Sequence, residues 1–451
     1  LAIVASLSDV RGSVLRPGDE GFDEERVGYQ TAFSHRPDVV VGAVSPEDVR
    51  AAVAFAGAHG VPVAVQAMGH GVPLPLKGGV LISTRRMSTV KVDVARRSAR
   101  IDAGASWKQV VDLTAPHGLA PLSGSAPHIG AVSYTLGGGL GLLARKYGYA
   151  ADHVLAVDVV TADATLRHVT ADSDPDLFWA LLGGRGNFGV ATSIEVQLFP
   201  VSELYGGGLF FDAALVPDIL DAYRSWTATV PNEMTSSIAL VPFPDVSRLP
   251  ETVRGRYAAH LRIAYDGDPA AGERLVAPLR EVGPCLFDAL GVIPYAEFGS
   301  IYNDPLIPMG YYSTNALLST LEAETVSSVL QLAGPNAKLP CVIEVRHLGG
   351  ALKRPAANSV GHRDAGFLLT VLTRLIQPNF GEVRALHRRL SDVLERWSIG
   401  TGLNFLYGEK ADAEQVRRAY DPEDYRRLAT LKAGYDPANI FRGTHNIPPA
   451  R

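Results

Sequence analysis

Cysteine is nearly missing from this chain: Cys285 and Cys341 are the only two in 451 residues. A disulfide framework and a cysteine-built zinc site are therefore excluded as organising features. The twelve histidines never fall in H-x-H or H-E-x-x-H spacing and have no C-x-x-C partner, which argues against a protein-held metal. Surplus positive charge is absent too. At a net charge of -5 the chain lacks the basic surface that phosphate-backbone binding requires, so nucleic acid is not an expected partner. No apolar run approaches the roughly eighteen residues of a membrane span, and no membrane partner is expected. The opening LAIVASLSDVRG has neither the basic stretch nor the apolar length of a secretory signal. A cytoplasmic location is the expectation, and a start at Leu1 rather than Met leaves room for a removed leader.

What is present reads as an ordinary globular composition, long enough for two or three domains. PDVVVGAV reads as a strand. SPEDVRAAVAFAGAHG reads as a helix, with Ser45 as N-cap, Pro46 in the first turn and Gly60 as its stop. Val49, Val53, Phe55 and Ala56 are expected on its buried face. VPVAV returns as a short buried strand. GGVLIST, STVKVDV and RSARIDAG alternate apolar and polar, the pattern of half-buried antiparallel strands. SWKQVVDLTAPHG reads as a helix, HVLAVDVVTADATLRHVT as a hairpin, DPDLFWALLGG as a helix and GVATSIEVQLFP as a strand. Beyond Pro200 longer strands appear, among them GGLFFDAALV, MTSSIALVPF, AAHLRIAYDG and LPCVIEVRHLGG. Amphipathic helices such as ALVPDILDAYRSW and GEVRALHRRLSDVLERW separate them, which predicts an α+β domain with helices on one face of an antiparallel sheet. The tail PEDYRRLATLKAGYDPANIFRGTHNIPP reads as a helix followed by an irregular polar end.

Glycine carries the strongest local signals. In QAMGHG, His70 stands between Gly69 and Gly71, where missing side chains let a ligand approach the backbone. GLGLLA and GRGNFG both fit the dinucleotide-binding spacing, but that fingerprint needs a strand before the glycines and a helix after them. The second has the reverse order, and the first follows the poor strand APHIGAVSYT. A Rossmann site is rejected. Gly183 and Gly184 read as a tight turn. The cluster Gly137 to Gly141 is costly in conformational entropy and reads better as a place where a ligand meets backbone.

Taken in order, VPVAVQAMGHG, SAPHIGAVSYTLGGGLGLLARKYGYAADHV, DPDLFWALLGGRGNFGVATSIEVQLFP and RLATLKAGYDPANIFRGTHNIPP resemble the FAD-linked oxidases of the berberine bridge enzyme type, within the vanillyl-alcohol oxidase superfamily. The resemblance is collinear over almost the whole chain. It implies an α+β fold with a two-part PCMH-type FAD-binding domain, residues 1–200 and 396–451. Between them, residues 201–395 would form a substrate domain whose antiparallel sheet, flanked by helices, covers the flavin. The resemblance also implies that Gln66, Ala67, Met68, Gly69, His70 and Gly71 wrap the FAD pyrophosphate with backbone N–H groups. Gly124, Ser125, Ala126, Ile129, Gly130, Tyr134 and Thr135 would line the cofactor, as would Gly137, Gly138, Gly141 and Leu142. Gly189 and Val190 would do the same, with Asn404 and Asn446 returning to the flavin near the chain end. His70 would be bonded to the flavin 8α-methyl, fixing the ring and making it a stronger hydride acceptor. Many members add a second link through a cysteine; here that position is Ala126, so a single link is implied.

The chain departs from the pattern at several points. Gln66, Ala67 and Met68 stand where Arg-Gly-Gly is usual, and Lys77 where Asp is usual. Gly402 replaces the Tyr of a Tyr-x-Asn pattern that keeps Asn404. For the base that accompanies hydride removal, Glu344 on CVIEVRHLGG is the first candidate, with Arg346 and Gly350 on its face and Val345 and His347 opposite. A Glu satisfied by Arg346 on a solvated face is the alternative reading. Tyr134, Asn404 and His445 are further candidates for a catalytic role. The resemblance also places Ile129 near the flavin carbon where oxygen reacts, where a bulky aliphatic would screen the ring and favour a slow oxidase or a dehydrogenase. The implied activity is oxidation of a hydroxyl-bearing or similar carbon in a small organic molecule or glycoside. Molecular oxygen would be the acceptor, giving H2O2, in a tailoring step of secondary metabolism. The alternatives are a flavin dehydrogenase using another acceptor, and a non-catalytic binding protein on the same fold.

Overall fold

Three sheets organise the described residues, which are 6–376 and 379–451 of the computed structural model. The first runs in the order Ser13–Leu15, Val39–Gly42, Val80–Ser83, Val63–Gln66. Helix Pro46–His59 starts where the Ser45 side chain accepts from the Asp48 N–H at 3.4 Å, and Gly60 ends it in the left-handed region at φ 64. Its buried face is Val49, Ala52, Val53 and Ala56. Phe55, expected on that face, sits on the flank, because a 3.6-residue turn puts position 52 between 49 and 56. Burying Val49 and Val53 stabilises the layer by roughly 2 kcal/mol each, and an Asp at either position would open it. The segment GGVLIST is corrected: Val80–Ser83 is not a half-buried antiparallel strand. It pairs in parallel with both Val39–Gly42 and Val63–Gln66, and all four of its residues are buried, as a covered parallel strand requires.

The second sheet is antiparallel, in the order Val90–Asp93, Ser98–Asp102, Val190–Gln197, Val154–Val160, Leu166–Val169. Helix Trp107–Thr114 beside it opens with a capping box between Ser106 and Gln109. The stretch APHIGAVSYT is a loop that runs into the short helix Ala131–Leu136.

The third sheet is the largest. Its central path is Glu203–Asp212, Tyr257–Tyr265, Met234–Pro242, Cys341–His347, Phe367–Arg374 and Tyr311–Leu318, all antiparallel. One face packs on the helices Val216–Thr227, Pro269–Arg280, Ala323–Ala333 and Phe380–Leu394 through residues such as Leu209, Phe211, Ile238, Leu261, Val345 and Val371. Alternation then puts Phe210, His260, Arg262, Glu344 and Arg346 on the opposite face. Register brings them together: Ala239 pairs with both His260 and Glu344, and Ser237 with both Arg262 and Arg346. The strand ends at His347, so Gly350 does not share the face of Glu344; it begins a separate 3₁₀ turn. Ser398–Gly400 also pairs with Tyr311–Leu318, so this sheet takes in residues just past 395.

The tail returns to the first sheet. After helix Pro422–Tyr435, the Val63 N–H donates to the Ile440 carbonyl at 2.8 Å and the Gly443 N–H to the Val63 carbonyl at 3.1 Å. Ile440, Phe441 and Ile447 are buried, so the irregular end is less polar in its contacts than in its composition. Among the described residues, no helix is long and apolar enough to cross a membrane.

Candidate functional site

The loop after Val63–Gln66 is held by its carbonyls. Arg85 Nε donates to the Ala67 carbonyl at 3.2 Å, the Tyr29 and Gln30 amides donate to Met68 and Gly69 at 2.9 Å, and the Tyr311 hydroxyl donates to His70 at 2.7 Å. The N–H groups of Met68, Gly69, His70 and Gly71 meet no acceptor among the described residues. A run of unpaired amides beside a cavity is an anion-binding nest. Gly69 is required twice over: its φ is 70, and a Cβ there would lie 2.5 Å from the Gly28 Cα.

His70 is fixed by its neighbours. Its ring stacks on Tyr29 with centres 3.9 Å apart, and His128 sits 4.7 Å away on a tilt. Burial, with His128 alongside, pushes its pKa down to about 3. The imidazole is therefore neutral at physiological pH, with a ring nitrogen carrying a lone pair.

Three cavities share walls around this loop. The first, about 150 Å³, is lined by Gln66 to Gly71, Gly124, Ser125, Ile129, Gly130, Tyr134 and Asn404. A second, about 100 Å³, continues along Ala67 and Gly71 to Gly189, Val190 and His445. The third and widest, about 400 Å³, meets the first at His70, Ile129 and Tyr407 and opens toward Phe210, Phe243 and Phe287 of the large sheet. Ala126 lines this third space. The first two cavities form one trench, and it holds most of the expected cofactor residues.

Several unpaired groups face this trench. Asn404 Nδ2 donates to the Tyr134 carbonyl at 2.9 Å, while its Oδ1 is buried with no partner. Gly137 is needed beside it, since a Cβ there would fall 1.9 Å from Asn404 Oδ1. The Tyr134 hydroxyl is also buried and unpartnered, and burial raises its pKa well above the usual 10. A neutral phenol of that kind cannot take a proton at neutral pH. His445 Nε2 contacts the Leu406 carbonyl at 2.9 Å, and its Nδ1 is left free and buried.

Other expected residues lie elsewhere. Leu142 is core, and the Thr135 hydroxyl donates to the Ala131 carbonyl within its own helix at 2.8 Å. Gly138 faces Val360, and Gly141 is pressed against the Ser123 carbonyl. Asn446 has a buried, unpartnered Oδ1 but lines none of the three cavities. Glu344 is locked in an ion cluster. Arg262 Nη1 donates to it at 2.6 Å and Arg346 Nε at 3.0 Å, and the two guanidiniums hold its carboxyl below the ordinary Glu range despite burial. Arg346 lines the first cavity and Arg262 the third, while Glu344 lines neither. The alternative reading, a Glu satisfied by Arg346 on a solvated face, has the right partner and the wrong setting: the Glu344 side chain is only 12% exposed and is shared with Arg262. Sequence reasoning passed over Tyr29, His128, Arg185, Arg262 and Tyr407, whose partners lie far away in the chain.

FAD fits this set: an amide nest for phosphates, orphaned buried polar atoms where a ring edge would reach, and a neutral imidazole on the wall. The chain matches the family described as FAD binding domain over residues 37–170 and the family described as Berberine and berberine like over residues 404–448. It is 30% identical to (R)-6-hydroxynicotine oxidase of Paenarthrobacter nicotinovorans over 466 aligned residues, spanning 99% of this chain and 98% of the relative. It is 23% identical to the chitooligosaccharide oxidase of Gibberella zeae, over 99% of this chain and 94% of the relative. The crystal structure of 6-hydroxy-D-nicotine oxidase from Arthrobacter nicotinovorans superposes with a TM-score of 0.85 at 28% identity, covering all of both chains.

Proposed function

The chain belongs to the berberine bridge enzyme-like FAD-linked oxidases, and from that membership we propose that it oxidises a small ring-bearing organic molecule in the cavity above His70. It is an FAD-dependent oxidoreductase, which sets aside the non-catalytic reading. The observation that carries the proposal is the shared wall: His70, Ile129 and Tyr407 border both the trench and the wide cavity.

FAD, when bound, supplies the two-electron acceptor that takes a hydride. His70 is the attachment point, neutral and held flat by Tyr29. Arg346, anchored by Glu344 and stacked over Phe405 at 5.2 Å, puts a fixed positive charge on the trench wall where negative charge would develop. Tyr407 replaces Glu344 as the group that orients the substrate's hydroxyl or amine. Its ring packs edge-on to Tyr311 at 5.4 Å, and its pKa is pushed up to about 12 by burial, with Arg346 opposing. It therefore acts as a hydrogen-bonding phenol.

The walls of the wide cavity favour a planar apolar body over a sugar chain. Phe210 stacks on His260 at 4.0 Å, and Phe243 and Phe287 lie 5.8 and 5.9 Å from Phe210. Aromatic faces of this kind bury ring surface, and Arg248, Ser300, Asn303 and Asp304 in the same lining would meet the ring's polar substituents. The relative named for 6-hydroxynicotine suits such walls better than the one named for chitooligosaccharide. Oxygen is the acceptor, giving H2O2, and the setting is secondary metabolism. Anaerobic mixing with aryl alcohols, cyclic amines and oligosaccharides tests this. Bleaching of the flavin band by ring-bearing compounds alone is expected, with H2O2 appearing when air is admitted. Bleaching by oligosaccharides alone would overturn the substrate class.

A further inference from the structure

Arg185 sits in the sequence Gly183-Gly184-Arg185-Gly186 with φ 54 and ψ -139, a conformation that suits glycine and strains any other residue. The guanidinium donates no hydrogen bond and forms no ion pair among the described residues, and its Nη1 is buried without a partner. The buried arginines behave differently. Arg145 reaches the carbonyls of Leu348, Pro231 and Met234, and Arg262 reaches Glu344. Burial without an anion lowers the proton affinity of Arg185, and only the phenols of Tyr420 and Tyr407 lie near enough to oppose that.

Its place explains what is missing. Arg185 lines both the first and the second cavity, where they join. The Gly71 backbone faces it: a Cβ there would sit 3.6 Å from Nη2 and 3.8 Å from Nη1. Gly71 is the last of the four residues whose amides point at no acceptor. One side of the junction thus carries free backbone N–H groups and the other a free planar fork of N–H donors. A guanidinium with a buried, unpaired Nη1 is unfavourable, and a multiply charged oxyanion that accepts from both sides relieves it.

We propose that Arg185 is the counter-ion of the cofactor's diphosphate, clamping it against the Met68–Gly71 amides. This deepens the FAD reading and rests on it. It also accounts for Gln66, which stands where the family usually has arginine: the positive charge is delivered from across the junction by a residue 119 positions later in the chain.

The test removes the covalent link so that binding is reversible. In a His70→Ala background, Arg185→Gln should weaken FAD about 10- to 100-fold, the size of a charge-assisted contact. Riboflavin, which has no phosphate, should change less than twofold, and Arg185→Lys should recover part of the loss. Arg185→Gly gives a second readout of opposite sign. Relief of the strained φ should raise the melting temperature of the flavin-free protein while FAD affinity falls. Binding of FAD by the His70→Ala parent checks the cofactor reading separately. Equal losses for riboflavin and FAD would overturn the proposal, as would FAD binding unchanged in Arg185→Gly.

Discussion

The imidazole of His70 lies face to face with the phenol of Tyr29, ring centres 3.9 Å apart and planes inclined by 16°. Tyr29 is itself tied down, its hydroxyl donating to the Pro305 carbonyl at 2.6 Å. The stack sets the direction of the ring nitrogen that would meet the flavin methyl. Covalent FAD on the His70 peptide is the expected outcome, seen as fluorescence of the denatured band and by peptide mass spectrometry. His70→Ala should leave only flavin that acid releases, because Ala126 offers no thiol for a second link. Tyr29→Ala should keep the attachment but slow it when flavin-free protein is given FAD. Covalent flavin surviving in His70→Ala would place the link elsewhere.

Glu344 serves the structure through Arg262 and Arg346. Glu344→Gln leaves two buried guanidiniums facing one neutral amide, and the loss of a buried partner costs about 3–5 kcal/mol. Chemical denaturation should register a loss of that order. A base at this position predicts the other outcome, near-normal stability with flavin reduction slowed by roughly 10²–10⁴. The cluster also gives a pH signature. Its folded pKa is lowered, so its stabilisation is present above the ordinary Glu range and is lost as pH falls through it.

Acid should act earlier through histidine. Burial depresses His35 to about 4 and His70, His347, His387 and His445 to about 3. Each is neutral when folded and takes up a proton on unfolding below about 6.5. Protons bind the unfolded chain more, so stability falls as pH drops from about 6.5 toward 4, by up to about 1.4 kcal/mol per pH unit for each group. Melting temperature followed from pH 7.5 to 5 should decline steadily. A flat profile would mean that these rings gain polar partners on protonation.

Lys432 and Asp436 anchor the tail under the second cavity. Both side chains are almost wholly buried, Nζ donating to Asp436 at 2.6 Å and to the Asn187 carbonyl at 2.6 Å. Asn187 in turn donates to the His445 carbonyl at 2.9 Å, and Asp436 accepts from the Ile440 and Phe441 amides. Lys432→Met strands the carboxylate, so about 3–5 kcal/mol of stability is expected to go. Flavin content should fall with it, because His445 lines the cavity. Full flavin loading in a destabilised Lys432→Met protein would detach the tail from the cofactor site.

Local rules made much of this legible. Ser45, Gly60 and the Val49–Ala56 spacing gave helix Pro46–His59 from neighbours within two turns, and His70 between two glycines marked the loop. The parallel strand Val80–Ser83 misled because its flanks alternate while the strand itself is covered on both faces. Tyr311–Leu318, buried throughout, carries Ser313, Thr314 and Asn315, so no apolar run or alternation announced it. The site failed where partners are distant. The face of Glu344 follows from alternation, but its clamp by Arg262 depends on a register across the intervening strand Met234–Pro242. Arg185 was hidden by its glycines, which read as a turn.

Ile129 borders both the trench and the wide cavity, the spaces proposed for flavin and substrate. Its backbone is pinned from two directions, the carbonyl accepting from the Trp107 N–H at 3.0 Å and the amide donating to the Ala126 carbonyl at 3.3 Å. Branching at Cβ limits its χ1 rotamers on that fixed backbone. In close-packed surroundings one methylene decides whether a small molecule passes. Ile129→Val should open that space without touching His70 or the amide nest. If Ile129 gates oxygen, flavin reduced without substrate will reoxidise faster in the variant, while the rate of its reduction by substrate stays the same. That outcome would make the wild type a slow oxidase whose acceptor preference is set by one side chain. Equal reoxidation rates would mean that oxygen reaches the ring by another path, and the same packing argument would then point to the wide cavity's Tyr407 side.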